Sequence, residues 1–364
     1  MVGQQGIPQY EPWLGAEELA LVTETIQDNW ITGGEKTRLF EEAIARECQV
    51  KHALAVSNGT LALYIALKIL DIGPGDEVIV PDFTFIASAN AVVMAGAKPV
   101  LVDVDPDTFN IDIEQAENSI TRRTKAVMPV HIFGQSADMD AVLEFSRRRG
   151  LYVVEDAAQG LGVTFEGQPV GGIGDVGTLS FYADKTITTG EGGMILTNND
   201  DLAKRCMILK NQGRTQRGEY FHEFIGYNFR LTDLQAAVGL AQFGKLPEII
   251  RRKKAIEAAY AAGLADVPGI TLPYRDPRSN TVPFRANILT QNPKGLSAFL
   301  REHKVGSREF FYPIHRQPPY LEHRSFPNSD YAHQHGVSLP SAVTLTTQQI
   351  DYICDLIRDY VQDH

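Results

Sequence analysis

Between about residue 36 and residue 240, short runs of Val, Ile, Leu and Ala alternate with longer stretches of helical composition. Apolar runs that lack a polar residue at every second position predict strands covered on both faces. Their alternation with helices predicts an α/β domain around a mainly parallel sheet. Strands are read at 53–57, 77–81, 99–103, 126–130 and 151–155, with a further strand resuming at 194–197; a helix is read over 61–69. Gly73-Pro74-Gly75-Asp76 supplies the turn before the second strand.

Helical composition returns at 232–246 and again at 247–264, where Pro247 suits a helix start. Beyond Gly269 the pattern changes. Pro273, Pro277, Pro283 and Pro293 cut the chain into short pieces before a last helix at 347–362. This predicts a large domain over 1–248 and a smaller α+β domain over 249–364, a division that suits a chain of 364 residues. Neither repeats nor a low-complexity linker separate the two parts, so they are expected to pack together.

Charge narrows the possible partners. Thirty-four basic against forty-five acidic residues give a net charge of −11, which disfavours binding to nucleic-acid phosphates. No uncharged apolar run is long enough to cross a bilayer, and the first ten residues lack a basic segment followed by an apolar core. Cys48, Cys206 and Cys354 are odd in number and far apart, suggesting neither a disulfide framework nor a metal site. A soluble protein of the reduced cytoplasm, with no metal, is the expectation.

Candidate chemistry centres on Lys185. It enters a turn rich in hydroxyl groups and glycine, Thr186-Ile187-Thr188-Thr189-Gly190-Glu191-Gly192-Gly193, and Asp156 ends an apolar run upstream. A lone lysine in a turn is ordinarily a solvated charge. A lysine paired with a carboxylate is also what pyridoxal phosphate needs: an amine for the Schiff base and an acid to keep the pyridine nitrogen protonated. Ser57-Asn58-Gly59-Thr60, between a strand and a helix, offers a phosphate site at a helix N-terminus, or simply a capped helix start. Phe85 follows the next strand as a ring to stack on a cofactor or as core packing. Asp156 reads equally as a helix N-cap, and Gln159 as a donor to the cofactor's phenolic oxygen or a solvated helix side chain. Ser180 is placed to bind the phosphate.

Many spaced segments carry a resemblance. They are Trp30-Ile31-Thr32-Gly33-Gly34, Asn58-Gly59-Thr60, the stretch from Gly73 to Pro81, Thr84-Phe85-Ile86-Ala87, the strand 99–103, Glu155-Asp156-Ala157-Ala158-Gln159, Gly174-Asp175, Ser180-Phe181 with Lys185, and Thr189 to Gly193. Over nearly its full length the chain resembles the DegT/DnrJ/EryC1/StrS family of pyridoxal-phosphate-dependent sugar aminotransferases, of aspartate-aminotransferase fold, fold type I. The resemblance implies Lys185 as the Schiff-base lysine, Asp156 as partner of the pyridine nitrogen and Gln159 beside the phenolic oxygen. Gly59, Thr60 and Ser180 match the phosphate-binding groups. Asn228 matches an asparagine given to the neighbouring subunit's cofactor, implying a homodimer with shared sites. Where many members carry histidine and proline, this chain has Phe181-Tyr182-Ala183-Asp184.

The implied reaction takes nitrogen from L-glutamate, leaves pyridoxamine phosphate, and aminates a keto-sugar. Tyr312 and His315 lie in a segment that resembles one beside the family's sugar pocket, and Arg230 and Arg308 are candidates for the donor's carboxylate. Segments 90–103, 128–131 and 187–193 resemble the perosamine-synthase branch, which aminates a GDP-linked 4-keto-6-deoxy sugar in O-antigen and lipopolysaccharide biosynthesis. A free acidic keto-sugar such as 8-oxo-3-deoxyoctulosonate, and a non-catalytic relative that binds pyridoxal phosphate or a sugar nucleotide, stand as alternatives.

Overall fold

In the computed structural model, which describes residues 6–215 and 220–363, strands form where the β-branched runs lie. Helices α1 (Ala16–Gln27) and α2 (Glu35–Glu47) precede β1 (His52–Val56). The chain continues through α3 (Gly59–Ile69), β2 (Glu77–Pro81), α4 (Ala87–Met94), β3 (Lys98–Val102), α5 (Ile113–Ser119), β4 (Thr124–Val127), α6 (Met139–Arg149) and β5 (Tyr152–Asp156). Two short strands, β6 (Thr164–Phe165) and β7 (Gln168–Pro169), lead to β8 (Val176–Ser180) and β9 (Gly193–Thr197). After them come α7 (Asp200–Lys210), α8 (Asp233–Gly244), α9 (Leu246–Leu264), β10 (Ile270–Thr271), β11 (Ser279–Asn280), β12 (Ala286–Thr290), α10 (Pro293–Glu302), β13 (Arg308–Glu309), α11 (Pro327–His335), β14 (Gly336–Leu339) and α12 (Thr347–Asp363).

The main sheet has seven strands in the order β1-β9-β8-β5-β4-β2-β3. All pairs from β8 to β3 are parallel, and β9 alone runs against its neighbours, so β1 shares the common direction. The second strand occupies the expected residues. The fourth stops at Val127 rather than residue 130, because Pro129 has no N–H for the ladder; Val130 keeps one bridge, to Asp156. β8 is an addition to the expected strands.

Both faces of the sheet are covered. On one side Phe40 and Ile44 of α2, Val142 and Phe145 of α6 and Ala236 of α8 pack in one core. On the other, α3 is buried from Ala62 to Leu67, as a helix apolar on all sides must be. The start of α2 is fixed from a distance: Asp233 of α8 accepts from the amides of Gly34, Lys36 and Thr37, a carboxylate at a helix N-terminus.

A second, four-stranded antiparallel sheet runs β10-β12-β14-β13. Its core takes Leu296 and Leu300 of α10 and Ile353 and Ile357 of α12. α9 passes between the cores, with Leu246 and Ile249 in the first and Ile256, Tyr260 and Leu264 in this one. Ile7 also packs here and bridges to Val305. Phe83, Phe133, Phe284 and Phe310 form an aromatic cluster with Phe311 packed against it.

Candidate active site

Strands β1, β5 and β8 are parallel, so their C-terminal ends meet at one edge of the sheet, where α/β folds place ligands. Asn58 follows β1 and caps α3, its side chain accepting from the Leu61 amide at 2.9 Å. Gly59 and Thr60 then begin α3, and first-turn amides have no partner within their own helix. A Cβ on Gly59 would lie 2.8 Å from the Cβ of Ser180, so the end of β8 stands against this helix start. Gly59, Thr60 and Ser180 thus stand together at a helix start, a place that can hold an anion.

Asp156, the last residue of β5, is buried. Its Oδ2 accepts from Ser88 Oγ at 2.7 Å and its Oδ1 from the Ala158 amide at 3.1 Å. The chain turns immediately after β5, so Asp156 caps no helix and Gln159 lies on none. Gln159 is buried too, and its Oε1 accepts from the Phe133 amide at 2.8 Å, which leaves its amide nitrogen as the donor.

Lys185 sits in the turn between β8 and β9, which closes on itself through Thr189 N–H to Phe181 carbonyl, 3.0 Å, and Thr188 Oγ1 to the same oxygen, 3.0 Å. Its side chain is 16% exposed, too little for a solvated surface charge. Nζ lies 4.4 Å above the Phe284 ring and 3.5 Å from Asp184 Oδ1. Burial pushes its amine below the ordinary lysine range; Asp184 opposes the shift, Arg285 adds to it, and Asp156 opposes it. A lowered proton affinity favours the free, nucleophilic amine.

Phe85 is 58% exposed at the mouth of this group, 6.3 Å from Phe311, which stacks on Phe133 at 5.6 Å. Arg308 faces the Tyr10 ring at 5.9 Å. The other expected residues fall elsewhere. Arg230 donates to Asn211 at 2.7 Å and lines a separate cleft of about 1160 Å³ with Trp30 and Lys210. His315 is buried, its Nδ1 2.7 Å from Asp82 Oδ2 and its Nε2 3.6 Å from Asp330. Both ring nitrogens thus face carboxylates. Tyr312 is exposed, edge-on to His333. Asn228 is exposed beside the end of β1, where Ser57 N–H donates to Phe229 carbonyl at 3.0 Å.

Residues missed in the sequence complete the site. Ser88 directly follows the Thr84 to Ala87 segment, and that adjacency was its signal. Asp184, from the segment that departs from the common pattern, pairs with Arg285 at 3.1 Å. Arg285 had no signal, being one arginine in a proline-broken stretch. The donor set fits pyridoxal phosphate: an anion cradle that a Cβ on Gly59 would fill, a buried carboxylate, an amide donor and a desolvated lysine.

The family model of the DegT/DnrJ/EryC1/StrS aminotransferases matches residues 12–358. The chain belongs to this family. It is 39% identical over 362 residues to a GDP-perosamine synthase of Vibrio cholerae, covering 97% of this chain and 99% of that one. It is 42% identical to a GDP-perosamine synthase of Caulobacter vibrioides, over 94% and 95% of the two chains. Among solved structures, S. venezuelae DesV in complex with a ketimine intermediate superposes with a TM-score of 0.94 at 34% identity, covering 99% of each chain. The aminotransferase therefore has the fold type I architecture expected of it. Its three cysteines are free and buried, and among the described residues no helix is long and apolar enough to cross a membrane.

Proposed function

We propose that this aminotransferase moves an amino group from L-glutamate to a nucleotide-linked 4-keto-6-deoxy sugar, as in GDP-perosamine synthesis, and works as a homodimer. The convergence of Lys185, Asp156 and the Gly59–Ser180 cradle at one sheet edge carries the reaction class. Identity of about two residues in five with GDP-perosamine synthases supports the sugar.

Pyridoxal phosphate, when bound, supplies an electron sink for the carbon that loses or gains a proton, and becomes the carrier of the amino group. Gly59, Thr60 and Ser180 would hold the phosphate. Asp156, oriented by Ser88 and the Ala158 amide, would keep the ring nitrogen protonated, and Gln159 would donate its amide to the phenolic oxygen. Phe85 would pack against the ring. Lys185 would hold the cofactor, and its amine, when free, would take the proton at the donor's α-carbon and return protons during amination.

The test is spectroscopic first. Enzyme with added pyridoxal phosphate is expected to show the visible band of a lysine-bound cofactor, bleached by L-glutamate. The bleached enzyme is expected to aminate GDP-4-keto-6-deoxymannose. Absence of the band removes the enzymatic reading; amination of 8-oxo-3-deoxyoctulosonate instead replaces the sugar. Lys185→Ala is expected to lower overall transamination by at least about a hundredfold, the scale of general acid–base catalysis.

A further inference from the structure

Arg285, just before β12, is 5% exposed. Its guanidinium stands 4.9 Å from the Phe284 ring and 5.6 Å from the Phe311 ring, and Phe311 in turn faces Phe85. Asp184 lies on its other side, with Oδ2 3.1 Å from Nη2 and Oδ1 3.5 Å from Lys185 Nζ. The arginine is therefore one carboxylate away from Lys185 and one ring, Phe311, away from Phe85.

We propose that Arg285 receives a carboxylate of the amino donor, and that Asp184 is the internal carboxylate that holds this guanidinium when no donor is bound. The inference rests on the aminotransferase reading. It has two supports. First, the pair is under-bonded: a guanidinium has five N–H donors in a fork suited to bidentate carboxylate. Yet among the described residues its one hydrogen bond goes to Asp184. Asp184 Oδ1, also buried, accepts no hydrogen bond there.

Second, the neighbourhood is short of negative charge. Arg308 acts on Arg285 electrostatically, and buried Lys253 feels Asp184, Arg285 and Lys185. Three basic side chains, Arg285, Lys185 and Lys253, thus share Asp184, with Asp156 acting on Lys185 from beyond. Glu11 lines the same cavity but accepts from Thr344 Oγ1 at 2.9 Å. A dicarboxylate donor supplies the missing charge, and a keto-sugar presents no carboxylate to the same arginine. Leaving a buried guanidinium bare in the sugar half of the reaction would be strongly unfavourable. A fixed aspartate that yields to the donor and returns afterwards lets one site serve both substrates.

The test uses the cofactor-loaded enzyme and glutarate, a dicarboxylate without an amine, titrated by calorimetry. Arg285→Gln is expected to weaken glutarate at least tenfold and to raise KM for L-glutamate by a similar factor. The half-reaction with GDP-4-keto-6-deoxymannose should lose at least threefold less than the half-reaction with L-glutamate. Arg285→Lys should recover part of the glutarate affinity. Asp184→Asn, which removes the competing carboxylate, should tighten glutarate severalfold and slow the sugar half-reaction. Glutarate binding at wild-type strength in Arg285→Gln, or equal loss in both half-reactions, overturns the proposal. If Arg285→Gln does not load cofactor, unaltered glutarate affinity in both Arg285→Lys and Asp184→Asn overturns it instead. Should L-glutamate fail to bleach the wild-type enzyme, the aminotransferase reading fails; should it bleach the wild type while glutarate ignores Arg285, only this assignment fails.

Discussion

Ser180 Cβ crowds the place where a Cβ at position 59 would stand, 2.8 Å away, closer than two such carbons approach. Neither partner is the far end of a flexible side chain, so a methyl group at 59 must push the α3 start and the end of β8 apart. Gly59→Ala is therefore expected to weaken pyridoxal phosphate binding at least tenfold, read by fluorescence titration of the cofactor-free protein. Wild-type affinity in that variant would remove Gly59 from the cradle. At this scale the run of glycines and hydroxyls singled out Lys185 in the sequence, and its side chain is largely buried rather than solvated. The sequence was unreadable for Arg285 and Asp184, whose meaning comes from a contact across a hundred positions. The pairing of His315 with Asp82 was unreadable too, because a histidine between prolines carries no sign of a carboxylate more than two hundred positions away.

β5 ends in two adjacent carboxylates whose side chains project to opposite faces, because successive strand residues alternate. Asp156 faces the site, and Glu155 faces the loop before β8. Glu155 Oε1 accepts from the amides of Ile173 at 2.8 Å and Gly174 at 2.6 Å; Oε2 accepts from Gly171 at 2.7 Å and lies 3.0 Å from His131 Nε2. Burial raises its proton affinity, but His131 and these amides outweigh it and hold the carboxyl below the usual range. A carboxylate whose folded pKa is depressed stabilises the fold above its unfolded pKa and loses that contribution as pH falls through the folded value. Glu155→Gln is expected to cost about 3–5 kcal/mol near neutral pH, as when one member of a buried pair is removed. The gap between variant and wild type should narrow as pH falls below about 4.3, the unfolded glutamate value. Urea unfolding across that range checks it; a gap independent of pH would mean that Glu155 is not ionised in the fold. The same loop explains why β8 escaped the hydrophobic pattern: Gly171, Gly172, Gly174 and Gly177 interrupt the apolar run. β2, bounded by a Gly-Pro-Gly-Asp turn and Pro81, had no such interruption.

At the scale of the molecule, one run of exposed apolar side chains lies just before Asn228. Tyr220 is 90% exposed, Phe221 72% and Ile225 86%, while Tyr227 and Phe229 stack on each other at 4.7 Å and anchor to Tyr64 of α3. We propose that this exposed apolar surface is a contact with a second copy of the chain. A twofold dimer that buries it would set each Asn228 against its partner. The consequence is testable in solution. Lys185→Ala and Asn228→Ala chains, each inactive alone, are refolded together. If Asn228 serves the partner's cofactor, a mixed dimer holds one site with both residues intact and one with neither. Equal mixing then restores about a quarter of wild-type activity, since half the dimers are mixed and each has one working site. If Asn228 serves its own subunit's site, every site in the mixture lacks one of the two residues and no activity returns.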